Sequence, residues 1–348
     1  MNNTTKILVV AAAAIILIIA GMIFKETKTQ TNEINNITLS PENNAKKSQA
    51  TVNVRYVSSL SGASPHEFAK ELGFYKELNL NLIDTGSVQG GPEGILALGS
   101  GSTDIGSGTA WSAIINAKAR GTKIKGVVPG RGSADNPYKW VVLQNSSIKT
   151  AKDLVGKKLA TNTLGGTGDY VTREYLKRNG ISREQVEFIA LPTTSFEQAL
   201  REKQVDVIIG SGTPILKTLA GGEARILFNE TEIVGDYMAT TYPVSEKFIA
   251  ENPDAVKRFV EGYVKAVDWA KENPEEANRL YAKLLKDKGG DPGLAKYWTG
   301  FGVREHALLQ DSDVQIWIDW MVSDSILKDG QINPSDIYTN EFNPYYKK

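Results

Sequence analysis

The chain has 348 residues, 41% of them apolar and 23% charged, with 40 Lys and Arg balanced by 40 Asp and Glu. That suffices for a large folded body and is too neutral for a nucleic-acid or polybasic membrane partner. There is no cysteine and there are two histidines, His66 and His306, which excludes disulfides, thiolate nucleophiles, Cys-ligated metals and a lipid-modified cysteine anchor, and argues against a histidine-built metal site.

Residues 7–24, "ILVVAAAAIILIIAGMIF", form an uncharged apolar run between Lys6 and Lys25. The run is long for a signal-peptide core and close to the minimum for a spanning helix. Residues 1–24 read as an export leader, either a signal peptide or an N-terminal membrane anchor; Ala20-Gly21-Met22 makes a poor cleavage site and so favours the anchor. Residues 25–50 are rich in Thr, Asn, Gln, Ser and Lys; such a stretch buries too little apolar surface to fold and reads as a tether.

From Thr51 onward short β-rich runs alternate with helical ones. "VNVRYVSSL" predicts a strand. "SPHEFAKELGFYKEL" predicts a helix capped by Ser64, with Pro65 in its first turn and Phe68 and Leu72 on one face. "LNLIDTG" predicts the next strand, "PEGILALGSGS" a short helix, and "TDIGSGT" the end of a third strand. Strand "KWVVLQ", the helical turn "SIKTAKDLVGKK", strand "KLAT", helix "GDYVTREYLKRNG", strand "VEFIAL", helix "SFEQALREK" and strand "VDVIIG" follow. This alternation predicts α/β architecture with parallel sheets and helical crossovers. After Pro243 the pattern is helical, with Phe259, Tyr263 and Val267 on one core-facing stripe beside Val256, Val260 and Val264. A later helix repeats the pattern with Val314, Trp317, Ile318 and Met321.

The pentapeptide IGSGT occurs at 105–109 and again at 209–213. Residues 54–109 and 158–213 align without a gap at an offset of 104, and their element order agrees, as expected of two similar α/β lobes. In open α/β sheets, ligands bind beyond the carboxyl ends of strands, where loops lead into helix N-termini. Four loops occupy such positions: "SSLSGASP" (58–65), "GSGTAW" (106–111), "NTLGGTGDY" (162–170) and "GSGTP" (210–214). Glycine admits backbone N–H groups to a ligand, hydroxyls add donors, and a helix start adds partial positive charge, which together suit a small oxyanion or other polar group.

Enzymatic motifs are not met. "GSGSTDIG" lacks dinucleotide-binding spacing, "GSG" is not a serine-hydrolase elbow, and two histidines leave little choice for a triad base. His66 reads as a solvated helix-start residue, His306 as structural and Arg131 as a surface-loop residue.

"FAKELGFYKELNLNL", "LALGSGSTDIG", "KARGTKIKGV", "VVLQNSSIKTAKDLVGKKLA", "ALREKQVDV" and "NPDAVKRFVEGYVKAVDWAKENPEEA" together resemble the nitrate/sulfonate/taurine group of ABC-transporter substrate-binding proteins. The likeness runs from about residue 52 to 342. It implies a two-lobed periplasmic-binding-protein fold of the second type with a central cleft and a helical C-terminal section. Lobe one would hold 51–139 and 243–348, lobe two 140–242, with crossings near 138–141 and 239–243. It further implies a non-enzymatic, extracytoplasmic receptor, without cofactor or metal, that delivers a small solute to an ABC permease and its ATPase. The solute would be an anion of the sulfonate, taurine or nitrate kind, or alternatively a neutral or aromatic vitamin precursor of pyrimidine or flavin type; an enzyme on the same fold is a further alternative. The ligand-binding residues implied are Ser59 and Ser61; Ser107, Gly108, Thr109 and Trp111; Thr163, Gly166 and Thr167; and Ser211, Gly212 and Thr213. Tyr237, with Tyr138 and Trp298, would join Trp111 in walling the organic part of the solute.

Overall fold

The computed structural model describes residues 50–347 except 60, 61, 89 and 135. The expected leader, nearly all of the tether and Ser61 lie outside the described residues.

Strand β1 (Val52–Ser59) runs parallel to β2 (Leu80–Val88). The single helix expected between them is two, α1 (Pro65–Glu71) and α2 (Phe74–Glu77). Ser64 opens α1 with its Oγ and its N–H both on the Glu67 carboxylate at 2.8 Å. Gly73 separates the helices at φ +81°, a left-handed value that glycine adopts without a Cβ clash. Then come α3 (Gly91–Gly99), β3 (Thr109–Ala110), α4 (Trp111–Ala119) and β4 (Ile124–Gly132).

The middle of the chain supplies β5 (Lys139–Leu143), β6 (Lys158–Thr161), α5 (Thr167–Arg178), β7 (Glu187–Ala190), α6 (Phe196–Arg201), β8 (Val207–Gly210), α7 (Thr213–Ala220), β9 (Ala224–Asn229) and α8 (Glu230–Val234). The chain then returns through β10 (Met238–Ser245) to α9 (Glu246–Glu251), α10 (Pro253–Glu272), α11 (Pro274–Asp287), α12 (Asp311–Ser323) and α13 (Pro334–Ile337).

Two sheets result. In the first, Ile105 bridges Tyr56 in parallel and Val244 in antiparallel sense, joining β1 and β2 to the order β3-β10-β4. The second has the order β7-β6-β8-β5-β9. The third strand expected to end at the first IGSGT is therefore reduced to a bridge and the two residues of β3. Nor are the sheets purely parallel: β10 runs antiparallel to β3 and β4, and β5 antiparallel to β8 and β9. The reason is connectivity. β5 and β10 bring the chain from one sheet into the other, so they enter against strands built by βαβ crossovers. Residues 238–245 of β10 pair with β4, so the expected crossing segment 239–243 lies within a strand of the first sheet.

Helix α10 shows how sequence pattern becomes core. Pro253 sets its first turn, Asn273 and Pro274 end it, and Phe259, Tyr263 and Val267 are at most 1% exposed beneath the first sheet. Full burial of each contributes about 1.5–3 kcal/mol. Val314, Trp317, Ile318 and Met321 of α12 are buried likewise, in a cluster with Trp111 and Ile115 of the first sheet's helix and Trp140 and Tyr170 of the second sheet's elements. The ring centroid of Tyr170 lies 4.6 Å from those of Trp317 and Trp320.

Candidate functional site

A cavity of about 800 Å³ lies between loops of the two sheets. From the first sheet it receives 62–65, 90–92 and 107–108; from the second, 162–167 and 210–214; the crossing contributes Asn136 and Tyr138. The starts of α3, α5 and α7 all reach its wall at Gly91, Thr167 and Thr213, so three helix N-termini lend partial positive charge to one space.

Close backbone approach explains the glycines. A Cβ on Gly94 would lie 2.7 Å from Ser107 Oγ and 2.9 Å from Ser107 N, and one on Gly91 would lie 3.0 Å from Thr109 Cα. Helix α3 therefore rests directly on the first IGSGT loop. Gly212, at φ +73°, precedes α7 within the second copy.

Of the residues expected to bind ligand, Ser107, Gly108, Thr163, Gly166, Thr167, Ser211, Gly212 and Thr213 are brought together around this cavity. The two IGSGT copies thus reach one space from different sheets. Tyr138 and Trp298 also line it. Ser107 Oγ is enclosed and without a partner among the described residues.

Three expectations are corrected. Trp111 is fully buried, its indole N–H donates to Met238 O at 2.6 Å, and it packs into the core. Thr109 is also fully buried and turns its hydroxyl back to Ser107 O at 2.8 Å. Tyr237 is buried and its hydroxyl donates to Glu230 Oε1 at 2.7 Å. All three are fixed by internal partners away from the cavity wall. Ser59 ends β1 in register with Val88.

Arg131 and His66 also differ from the sequence reading. Arg131 belongs to β4, is buried, and binds Glu230 through Nη1 at 2.8 Å and Nη2 at 3.1 Å, with the Tyr138 ring 4.5 Å away. Glu230 also accepts from Tyr138 N and Tyr237 Oη. The charge of Arg131 is therefore spent within the protein. His66 is 2% exposed, between the rings of Tyr56 and Tyr242 at 4.9 and 5.0 Å, with Nε2 3.0 Å from Ser64 Oγ. Burial, assisted by the nearby Lys288 charge, pushes its pKa down to about 3, so it stands neutral behind Ser64 and Tyr242, which line the cavity. His306, read as structural, is half-buried with Nδ1 3.1 Å from Asp268.

Composition alone did not point to Asn136, Tyr242, Tyr281, Phe301 or Arg120, yet all line the cavity. Tyr242, Tyr281, Trp298 and Phe301 make an aromatic wall, in which Tyr281 stacks on Trp298 at 4.8 Å. Burial raises the pKa of the Tyr281 hydroxyl, opposed by hydrogen bonds involving Thr213 and Ala63; Thr213 belongs to the opposite sheet. A second tie between the sheets is Ser112 Oγ donating to Gly165 O at 2.7 Å. Among the described lining residues the only charged side chains are Arg120 and Arg131. The space therefore offers neutral donors, aromatic faces and cations, and no carboxylate.

Two α/β lobes joined by paired crossings, with a polar cleft at their strand ends, define the periplasmic-binding-protein fold. The chain belongs to the NMT1/THI5-like family, whose model matches residues 64–277. A binding protein of Brucella abortus is 28% identical over 303 residues, covering 84% of this chain and 91% of that one. A Bacillus subtilis protein assigned to aliphatic sulfonates is 30% identical over 231 residues, covering 64% and 66%. The riboflavin-binding protein RibY of Chloroflexus aurantiacus is 24% identical over 250 residues, covering 68% and 69%. Among solved structures, the aliphatic sulphonate-binding protein SsuA of Escherichia coli superposes with TM-score 0.65 at 18% identity, over 83% of this chain and 98% of its own. SsuA of Xanthomonas axonopodis bound to MOPS gives 0.65 at 17%, over 83% and 99%. A variant of the enzyme DszB with biphenyl-2-sulfinic acid gives 0.60 at 17%, over 83% and 97%. At these identities the structural likeness speaks for the fold.

Proposed function

We propose that the protein is an extracytoplasmic receptor that closes on a small anionic organic solute of the sulfonate kind and presents it to an ABC permease with its ATPase. The observation that carries this reading is the wall of the cleft. Hydroxyl-bearing residues, the starts of three helices and the exposed Arg120 line it, with no carboxylate among the described lining residues, and desolvated donors bind anions strongly. The names of the Bacillus relative and of the SsuA structures favour the same class. The sequence expectation puts 51–139 and 243–348 in lobe one and 140–242 in lobe two; the pairing of β10 with β4 favours moving that second boundary to about 237, so that 238–242 join lobe one. Residues 7–24 would tether the receptor to the membrane.

A second reading, an aromatic vitamin precursor, is favoured by the wall of Tyr242, Tyr281, Trp298 and Phe301 and by a volume of about 800 Å³, ample for a drug-sized molecule. RibY among the relatives points the same way. The enzyme reading finds less support: the described wall carries no Asp, Glu or Cys, and His66 stands behind it, engaged with Ser64. A thermal-shift panel of nitrate, taurine, alkanesulfonates, bicarbonate, pyrimidine precursors and riboflavin tests the proposal. A solute at a hundred times its Kd should stabilise the protein by about 2.7 kcal/mol; a panel without any shift contradicts the receptor reading.

A further inference from the structure

Asn136 sits in the crossing between β4 and β5 and is held from three directions. Its backbone O accepts from Arg131 Nη1 at 2.9 Å. Gly302 packs so closely that a Cβ there would lie 3.0 Å from Asn136 Cβ. Its side-chain Oδ1 accepts from Gly212 N at 2.9 Å. This last contact determines which way the carboxamide faces, because a backbone N–H can only donate and the amide oxygen is the only side-chain acceptor. The NH2 end therefore points away from Gly212. It has no partner among the described residues, it is not one of the sealed polar atoms, and the residue lines the cavity.

We propose that Asn136 is a specificity-determining residue of the cleft, whose Nδ2 donates to an acceptor oxygen of the solute while Gly212 fixes its orientation. The inference rests on the receptor reading above and adds to it the chemical character of the solute at this point. Gly212 N–H is spent on orienting Asn136, so the donor delivered to the ligand is the carboxamide. Because Asn136 belongs to a crossing, touches Arg131 in the first sheet and binds the second sheet's IGSGT loop, a solute oxygen on Nδ2 is bound where the two lobes meet. A solute presenting an ammonium or another donor there meets a repelling N–H group and is rejected.

The substitution Asn136→Asp separates this role from a purely structural one. A carboxylate at 136 still accepts from Gly212 N–H, so the tie is kept, but it has no donor and repels an anion. Asn136→Ala removes both tie and donor. The full-length protein and both variants are titrated calorimetrically with taurine, octanesulfonate, MOPS and riboflavin, with thermal melts to confirm folding. The expected result is a loss of about ten- to a hundredfold in affinity for the sulfonates in N136D and a smaller but clear loss in N136A; N136A binding like wild type beside an impaired N136D would mean charge repulsion alone and overturns the proposal. N136D binding like wild type overturns the proposal, whether N136A is impaired (a tie only) or not (no role). If no probe binds the wild type, the receptor reading falls and this inference with it; if probes bind all three proteins equally, only this inference falls.

Discussion

The guanidinium of Arg131 binds the carboxylate of Glu230 at 2.8 Å, with the glutamate fully buried, and so ties β4 of the first sheet to the first residue of α8 beside the second. The tie continues into both crossings. Glu230 accepts from Tyr138 N and Tyr237 Oη, while Ser133 N donates to Tyr237 O at 3.0 Å and Tyr237 N to Ser133 Oγ at 2.9 Å. Removing one member of a buried pair strands the other charge. Glu230→Gln or Arg131→Met should each destabilise the protein by about 3–5 kcal/mol in urea denaturation. The double variant should lose clearly less than the two together, because the partners couple.

Trp111→Phe tests the assignment of that residue to the core. It removes the indole donor on Met238 O and opens a small void, so stability should drop by about 1–3 kcal/mol. Solute affinity should stay within about twofold of wild type. A tenfold loss of affinity in titration would return Trp111 to the cleft wall.

Much of this was legible in the sequence, for a local reason. Small polar residues at strand ends followed by helix starts are a compositional signal, and Ser107, Thr163 and Ser211 carried it. Side-chain direction was less legible: Trp111 opens α4 and points into the core, while Ser112, one residue and about 100° further around the helix, lines the cavity. Tyr242, Tyr281 and Asn136 reach the cleft through long-range placement. Tyr242 does so because β10 pairs with β4 across more than a hundred residues, which no local pattern announces. The strand "IKGVVPGRG" hid behind its glycines and proline. Those glycines leave room for β10 side chains: a Cβ on Gly126 or Gly130 would lie 2.5 Å from Thr241 Oγ1 or Thr240 Oγ1.

Helix α3 offers a paired test of close approach. Gly94→Ala gains helix propensity of up to about 1 kcal/mol, but its methyl would lie 2.9 Å from the Ser107 backbone, so the first IGSGT loop must move. Net destabilisation and weaker solute binding are expected. Gly99→Ala, with nothing within 4 Å, should stabilise slightly and leave binding unchanged. If the two variants behave alike in melting and titration, the packing of α3 on this loop is not what its glycine serves.

His66 predicts a pH dependence. Its folded pKa of about 3 lies below the ordinary value of 6.5 because burial disfavours the charged ring, so the unfolded chain binds the proton more readily. The contribution is fully present above about pH 6.5 and is lost as pH falls toward 3, at up to about 1.4 kcal/mol per pH unit. Urea denaturation between pH 7 and 4 should show a steeper decline in wild type than in His66→Gln. Equal slopes would mean that folding does not lower the pKa of this ring.

The absence of cysteine allows a direct test of the central claim, that solute is held between two closing lobes. Leu96 on α3 and Leu164 in the loop before α5 both line the cavity and are 73% and 54% exposed, so L96C and L164C together accept one spin label on each side. Pulsed dipolar spectroscopy with and without a solute that binds in calorimetry then reads the distance across the cleft. A shorter, narrower distance distribution on binding is the predicted result; a solute that binds tightly and leaves the distribution unchanged would contradict the account.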